Sequence, residues 1–168
     1  MANSMFGKAK IGLEYLFKRS GPMSMAPSQL GAFSKSRPDL ETPDLEYHVQ
    51  PLSLEAFGEP LHEFPAITAS VCNLRPESRG TVSISSKNPN DAPTISPNYL
   101  STEGDKQTAV SAIRQARRIM SHGPMSKYKP QEIKPGNYSD APEDLIKAAG
   151  DIGTTIFHPV GTVRMGAD

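Results

Sequence analysis

His158 is the residue whose setting points most directly to chemistry. It stands in Thr154-Thr155-Ile156-Phe157-His158-Pro159-Val160-Gly161-Thr162-Val163-Arg164-Met165-Gly166. An apolar pair precedes it, a proline fixes the backbone after it, and two glycines permit close backbone approach to a planar partner. An imidazole so placed is suited to accept a proton from a substrate hydroxyl near neutral pH. On residue types alone, a loop histidine bonded to a backbone carbonyl is the favoured reading. His48 lies on the polar face of an alternating stretch, and His62 and His122 lie in loop-like or helix-terminal contexts, so all three read as structural or solvated. Arg75, Glu77 and Arg79 make a mixed-charge turn, either a solvated hairpin corner or an anion site. Tyr99 reads as a core or corner aromatic, and Cys72, set opposite the Val71 side, as a small packing residue.

Several chemistries lack their motifs. No glycine set fits G-x-G-x-x-G, and no Gly-Lys-Ser/Thr loop occurs, so this sequence shows no nucleotide phosphate cradle. There is no H-E-x-x-H and only one cysteine, which argues against a zinc site and an intrachain disulfide. With 18 basic and 18 acidic residues in 168, the net charge is zero, unlike a protein that binds nucleic acid through phosphate neutralisation. No apolar run approaches the roughly 20 residues of a membrane-spanning helix. The 16 prolines and 13 glycines make about 17% of the chain, above the usual level near 12%. Aliphatic and aromatic residues are frequent enough that this composition describes a loop-rich folded domain rather than a disordered one.

The elements that must position these residues follow from periodicity. Ile11, Tyr15 and Leu16 predict a short helix over residues 8–18, closed by Gly21-Pro22. Residues 21–43 read as an ordered loop laid against a surface through Met23, Met25, Leu30 and Phe33. From Asp44 the period becomes two: Leu45, Tyr47 and Val49 alternate with Glu46, His48 and Gln50, predicting a half-buried strand. Further strands are predicted over 66–74, 80–85 and 94–96. Residues 101–121 form the clearest helix, capped by Ser101 or Thr102, with an apolar stripe of Ala109, Val110, Ile113, Ala116, Ile119 and Met120. A last helix is expected from Asp140, with Glu143 completing a capping box, to Gly150. The fold class is therefore α+β, an antiparallel β-sheet flanked by helices.

On these residues the chain resembles the C-terminal, substrate-binding half of the glucose–methanol–choline (GMC) oxidoreductases. The carrying motifs are Gly21-Pro22-Met23, Gly31-Ala32-Phe33, Leu74-Arg75-Pro76-Glu77-Ser78-Arg79-Gly80, Pro97-Asn98-Tyr99-Leu100, Pro135-Gly136 and His158-Pro159-Val160-Gly161-Thr162-Val163-Arg164-Met165-Gly166. They run in the family's order across residues 13–168 and are similar to bacterial choline-dehydrogenase-like and aliphatic-alcohol-dehydrogenase-like members. The resemblance implies an FAD-dependent oxidoreductase acting on the CH–OH group of an alcohol. His158 then takes the alcohol proton while hydride passes to flavin N5, with Pro159, Val160 and Gly161 in the flavin-facing loop.

The resemblance also sets expectations about organisation. Residues 1–20 form a helix and lead-in, and residues 21–168 the substrate-binding domain, incomplete at its C-terminus and without the family's FAD-binding half. The chain is then a fragment, inactive alone, whose partners are a small-molecule alcohol and a separate flavin-binding half, with no nucleic acid and no membrane span. The expected setting is the cytoplasm, with any membrane association through an electron acceptor. A non-catalytic binding module derived from the same fold is the alternative.

Overall fold

The computed structural model describes residues 4–56, 58–136, 138–162 and 165–167. These fall into two compact units, residues 1–34 with 45–72, and residues 35–44 with 73–168.

The first unit begins with helix α1, Met5–Lys18. Ser4 caps it, its hydroxyl accepting from the Gly7 N–H at 3.0 Å, and Lys18 sits at the negative end of the dipole. Arg19 ends it in the left-handed region at φ 53°, its N–H returning to the Tyr15 carbonyl. Gly21, at φ 84°, takes a backbone conformation that favours glycine.

Strand β1 (Leu30–Ser34) pairs antiparallel with β2 (Leu45–Gln50), with Ala32 opposite Tyr47 and Ser34 opposite Leu45. Strand β3 (Thr68–Asn73) completes a sheet of order β1-β2-β3. The expected alternation of β2 holds, since Leu45 and Tyr47 are buried and Glu46 and His48 only half-buried. Strand β1 overturns the loop expected over 21–43. Leu-Gly-Ala-Phe-Ser carries no period-two signal, and its strand conformation comes from backbone pairing to β2 rather than from propensity.

The second unit holds the short antiparallel pair β4 (Thr81–Ser83) and β5 (Thr94–Ser96), all six residues exposed. Helix α2 spans Glu103–Ser121, a short turn α3 spans Gly123–Ser126, and α4 spans Pro142–Ile152. Helices α2 and α4 pack together, and Val110 and Ala112 of α2 and Leu145 and Ala148 of α4 are buried. The expected stripe of α2 is too wide at its end: Ile119 is 45% exposed. The expected capping box of α4 does not form. Both Arg114 and Arg117 draw the Asp140 carboxylate, while Ser139 accepts from the Ala141 N–H and donates to Asp144.

Residues 35–44 are tied into this second unit by hydrogen bonds to their backbone carbonyls. The Leu74 N–H donates to the Asp44 carbonyl at 2.8 Å, and Gln115 Nε2 donates to the Lys35 carbonyl at 3.3 Å. The architecture is α+β, with antiparallel strand pairs and separate helices, as the periodicity indicates.

Candidate functional site

His158 follows α4 in a segment without regular structure. Phe157, just before it, takes φ 64°, a left-handed conformation that a bulky residue adopts only under local constraint. The constraint is visible: the Phe157 N–H donates to Thr155 Oγ1 at 2.9 Å, closing a tight turn. Gly161, at φ 89°, makes the second bend, and a Cβ built there would meet nothing within 4 Å. His158 is therefore held between two backbone bends, exposed, with no side-chain partner among the described residues. Phe157 and Val160 beside it are exposed as well, at 71% and 93%. Val163 and Arg164 of the same motif lie outside the described residues.

This segment carries an exposed imidazole beside the exposed Phe157, Pro159, Val160 and Gly161. Among the described residues, the backbone N–H groups of Glu77 and Ser78 point together at one acceptor, and that acceptor is internal. Asp105, 5% exposed on α2, receives the Glu77 N–H at 2.9 Å, the Ser78 N–H at 2.8 Å and Asn73 Nδ2 at 3.1 Å. Burial opposes the charge of Asp105. The hydrogen bonds from Ser78, Glu77 and Thr102 outweigh that cost and hold its carboxyl below the ordinary value.

The 74–80 turn is a solvated corner, as expected, with only Ser78 half-buried, and the acceptor of its Glu77 and Ser78 N–H groups is a side chain of the same protein. Arg75 Nη2 donates to Thr42 Oγ1 at 3.0 Å, and Arg79 Nη1 to the carbonyls of Pro76 and Ser78. The Arg75 guanidinium is tied to a side-chain hydroxyl and that of Arg79 to backbone carbonyls. The neighbouring 97–100 turn is braced too, Asn98 Nδ2 donating to the Arg79 carbonyl at 3.0 Å. Asn98 and Leu100 both take left-handed φ, and Tyr99 between them is 57% exposed, a corner residue rather than a core one.

Of the remaining histidines, His48 is half-buried in β2 with Nε2 3.5 Å from Glu46. His62 is less isolated than its sequence context implies. Its ring stacks on Phe64 at 4.7 Å, Nδ1 lies 2.8 Å from Ser53 Oγ, and Nε2 lies 3.7 Å from Glu55. The Leu54–Leu61 bridge brings these residues together. The signal for it was the alternation of Ser53 and Glu55 opposite His62 in a hairpin register. Cys72 is half-buried in β3. Burial, with the Glu46 carboxylate nearby, pushes its thiol above the ordinary value. Among the described residues, no three His, Cys, Asp or Glu side chains gather as a metal set, and no helix is long and apolar enough to cross a membrane.

Comparison with known proteins agrees with this architecture. The chain is 36% identical to an alcohol dehydrogenase [acceptor] of Pseudomonas putida, over 100% of this chain and 31% of that protein. It is 32% identical to an oxygen-dependent choline dehydrogenase of Brucella anthropi, over 98% of this chain and 30% of that protein. It therefore spans about three tenths of the length of these curated relatives. In fold it is similar to a formate oxidase of Aspergillus oryzae RIB40, with a TM-score of 0.77 at 20% identity, covering 98% of this chain and 34% of that one. Residues 76–168 match the model of the family described as GMC oxidoreductase. Because that match takes in more than half of the chain, the protein belongs to the GMC oxidoreductase family.

Proposed function

We propose that this chain supplies the alcohol-binding face and the proton acceptor of an FAD-dependent oxidoreductase acting on the CH–OH group of an alcohol of the choline or aliphatic class. Residues 21–168 are its substrate-binding domain and residues 1–20 a lead-in helix. The observation that carries the reading is His158, an exposed imidazole held between the bends at Phe157 and Gly161, in a member of this family.

His158 takes the hydroxyl proton, so that the carbinol carbon can release its hydrogen as hydride. FAD, when bound, supplies the hydride acceptor, and Pro159, Val160 and Gly161 would hold its ring. The phosphates need donors from another polypeptide or segment, because Asp105 fills the N–H pair at Glu77 and Ser78. The 168-residue polypeptide alone is accordingly a weak flavin binder without turnover, and its partner is a flavin-binding half. The working enzyme is cytoplasmic, meeting a membrane through its electron acceptor.

The test has two arms. Titration of the purified 168-residue chain with FAD should give no tight stoichiometric complex, and a yellow protein after desalting would refute that part. In the protein that also carries the flavin half, His158→Ala should lower hydride transfer at least about a hundredfold, the usual scale for a lost general base. Near-normal turnover would remove His158 from the chemistry. Absence of flavin from that larger protein would favour the competing reading, a non-catalytic binding module.

A further inference from the structure

We propose that Thr155 is the positioning residue of His158, fixing through the Phe157 backbone the direction in which the imidazole leaves the chain. This role rests on His158 being the proton acceptor. Across residues 151–162, Thr155 alone is half-buried and every other residue is exposed. The segment that leaves α4 thus has one anchored side chain, and it stands two residues before the bend. Its Oγ1 accepts the Phe157 N–H at 2.9 Å, the turn that a short hydroxyl side chain makes with the backbone two residues on. Phe157 takes φ 64° at that point, a region that an aromatic residue disfavours. Burial does not impose this conformation, since Phe157 is 71% exposed.

One torsion then decides where the next side chain goes. Neighbours along an extended chain alternate between opposite sides, and a left-handed residue breaks that alternation. With Phe157 back in the β region, His158 would leave the turn in another direction. The path is fixed upstream as well, where the Gly153 N–H returns to the Ala149 carbonyl at 2.9 Å and closes α4. From helix end to histidine, the chain is therefore set at Gly153, Thr155 and Phe157. A general base works only within hydrogen-bond reach of the proton it takes, and a misplacement of about 1 Å can cost on the order of a hundredfold. Threonine suits the task because two heavy atoms on Cβ restrict χ1 and hold Oγ1 in place for the amide. Thr155 acts through the backbone and His158, not on the reacting atoms.

Two measurements test this role. In the 168-residue chain, amide hydrogen exchange at Phe157 should be about two- to tenfold faster in Thr155→Val, the scale of one lost hydrogen bond, and should recover in Thr155→Ser. Valine keeps the shape of threonine, and an unaltered far-UV dichroism spectrum shows the fold intact. In the protein that also carries the flavin half, Thr155→Val should lower kcat about tenfold or more while KM stays within about threefold. Thr155→Ser should keep kcat within about threefold of wild type, because the hydroxyl is retained. In a His158→Ala background, Thr155→Val should cost no further turnover, because its effect passes through the imidazole. If His158→Ala lowers turnover and Thr155→Val does not, or costs the same in both backgrounds, the positioning role is overturned while the proton acceptor stands. Turnover untouched by His158→Ala overturns both. Phe157 exchange unaltered in Thr155→Val would show that the hydroxyl does not hold the turn, and would overturn the positioning role as well.

Discussion

The Ser78 N–H and the Asp105 carboxylate, 27 residues apart in sequence, meet at 2.8 Å and join the start of α2 to the turn that precedes β4. The contact is reinforced in both directions. Asp105 also receives Glu77 and Asn73, and Ser78 Oγ accepts the Ser101 N–H at 3.0 Å. A buried carboxylate with several donors is expensive to disturb, because each donor left without it keeps its full desolvation cost.

Asp105→Ala should therefore destabilise the chain by about 1–3 kcal/mol, and Asp105→Asn by less, as measured by urea unfolding. The pH dependence follows from the lowered carboxyl. Its contribution is present above the ordinary aspartate range and is lost as pH falls through the lower folded value. Urea midpoints measured at descending pH should fall less steeply in Asp105→Asn than in wild type. An identical acid limb in both would show that Asp105 is not the titrating group.

Two glycines near this clasp should respond in opposite ways to alanine. At Gly80 a Cβ would lie 2.2 Å from the Ser96 carbonyl oxygen and 2.6 Å from that of Pro97, both backbone atoms that cannot yield cheaply. Gly80→Ala should cost about 1–3 kcal/mol, seen as a lower thermal midpoint. At Gly104 the nearest atom is the Glu77 carboxylate at 2.7 Å, the far end of a flexible and exposed side chain. Gly104→Ala should be close to neutral, the better helix propensity of alanine offsetting the displacement of Glu77.

Arg117 holds the 132–140 segment to α2. Its Nε and Nη2 meet the Glu132 carboxylate at 3.0 and 2.9 Å, and Nη1 meets Asp140 at 3.2 Å. A lysine cannot reproduce that fork. Arg117→Lys should cost about 1–2 kcal/mol and raise amide hydrogen exchange selectively within residues 132–140. Unchanged exchange there would mean that the segment is held by other contacts.

Cys72 should be a slow thiol. Its half-burial and the neighbouring Glu46 carboxylate both disfavour the thiolate. Reaction with Ellman's reagent at mildly alkaline pH should proceed well below the rate of a free cysteine and reach that rate in urea. Glu46→Gln should accelerate it modestly.

His158 should separate activity from stability. As an exposed side chain, His158→Ala or His158→Gln should change unfolding free energy by no more than about 0.5 kcal/mol, whatever it does to turnover. A large loss of stability would place the imidazole in a structural role.

The helices and β2 were legible because each is written in its own period. Leu45, Tyr47 and the α2 residue Val110 are buried where the spacing puts them, whereas the buried Ala112 lies off the expected stripe. Strand β1 was not legible, since Leu-Gly-Ala-Phe-Ser becomes a strand only when β2 lies beside it. The start of α4 was misread for a similar reason. Asp140 looks like a cap in sequence, but two arginines from α2 compete for it and win. The motif around His158 was visible from its residue types, whereas the left-handed Phe157 that orients it was not, because nothing in an aromatic side chain announces positive φ. The filling of the Glu77–Ser78 N–H pair by Asp105 depends on a contact between residues nearly thirty positions apart, beyond the reach of local pattern.

The chain passes between its two compact units at 34/35, again at 44/45, and a third time at 72/73. No single cut can therefore release either unit intact. Division after Cys72 would leave residues 35–44 on the wrong piece, breaking the Leu74–Asp44 and Gln115–Lys35 bonds. Residues 76–168 alone, the part that matches the family model, would be missing a ten-residue stretch of their own unit. A gene fragment expressing residues 73–168 should yield less soluble protein than one retaining residues 35–168. Shuffling of this region between relatives is correspondingly constrained, because its two halves can be exchanged only together or through compensating junctions on both sides of residues 35–44.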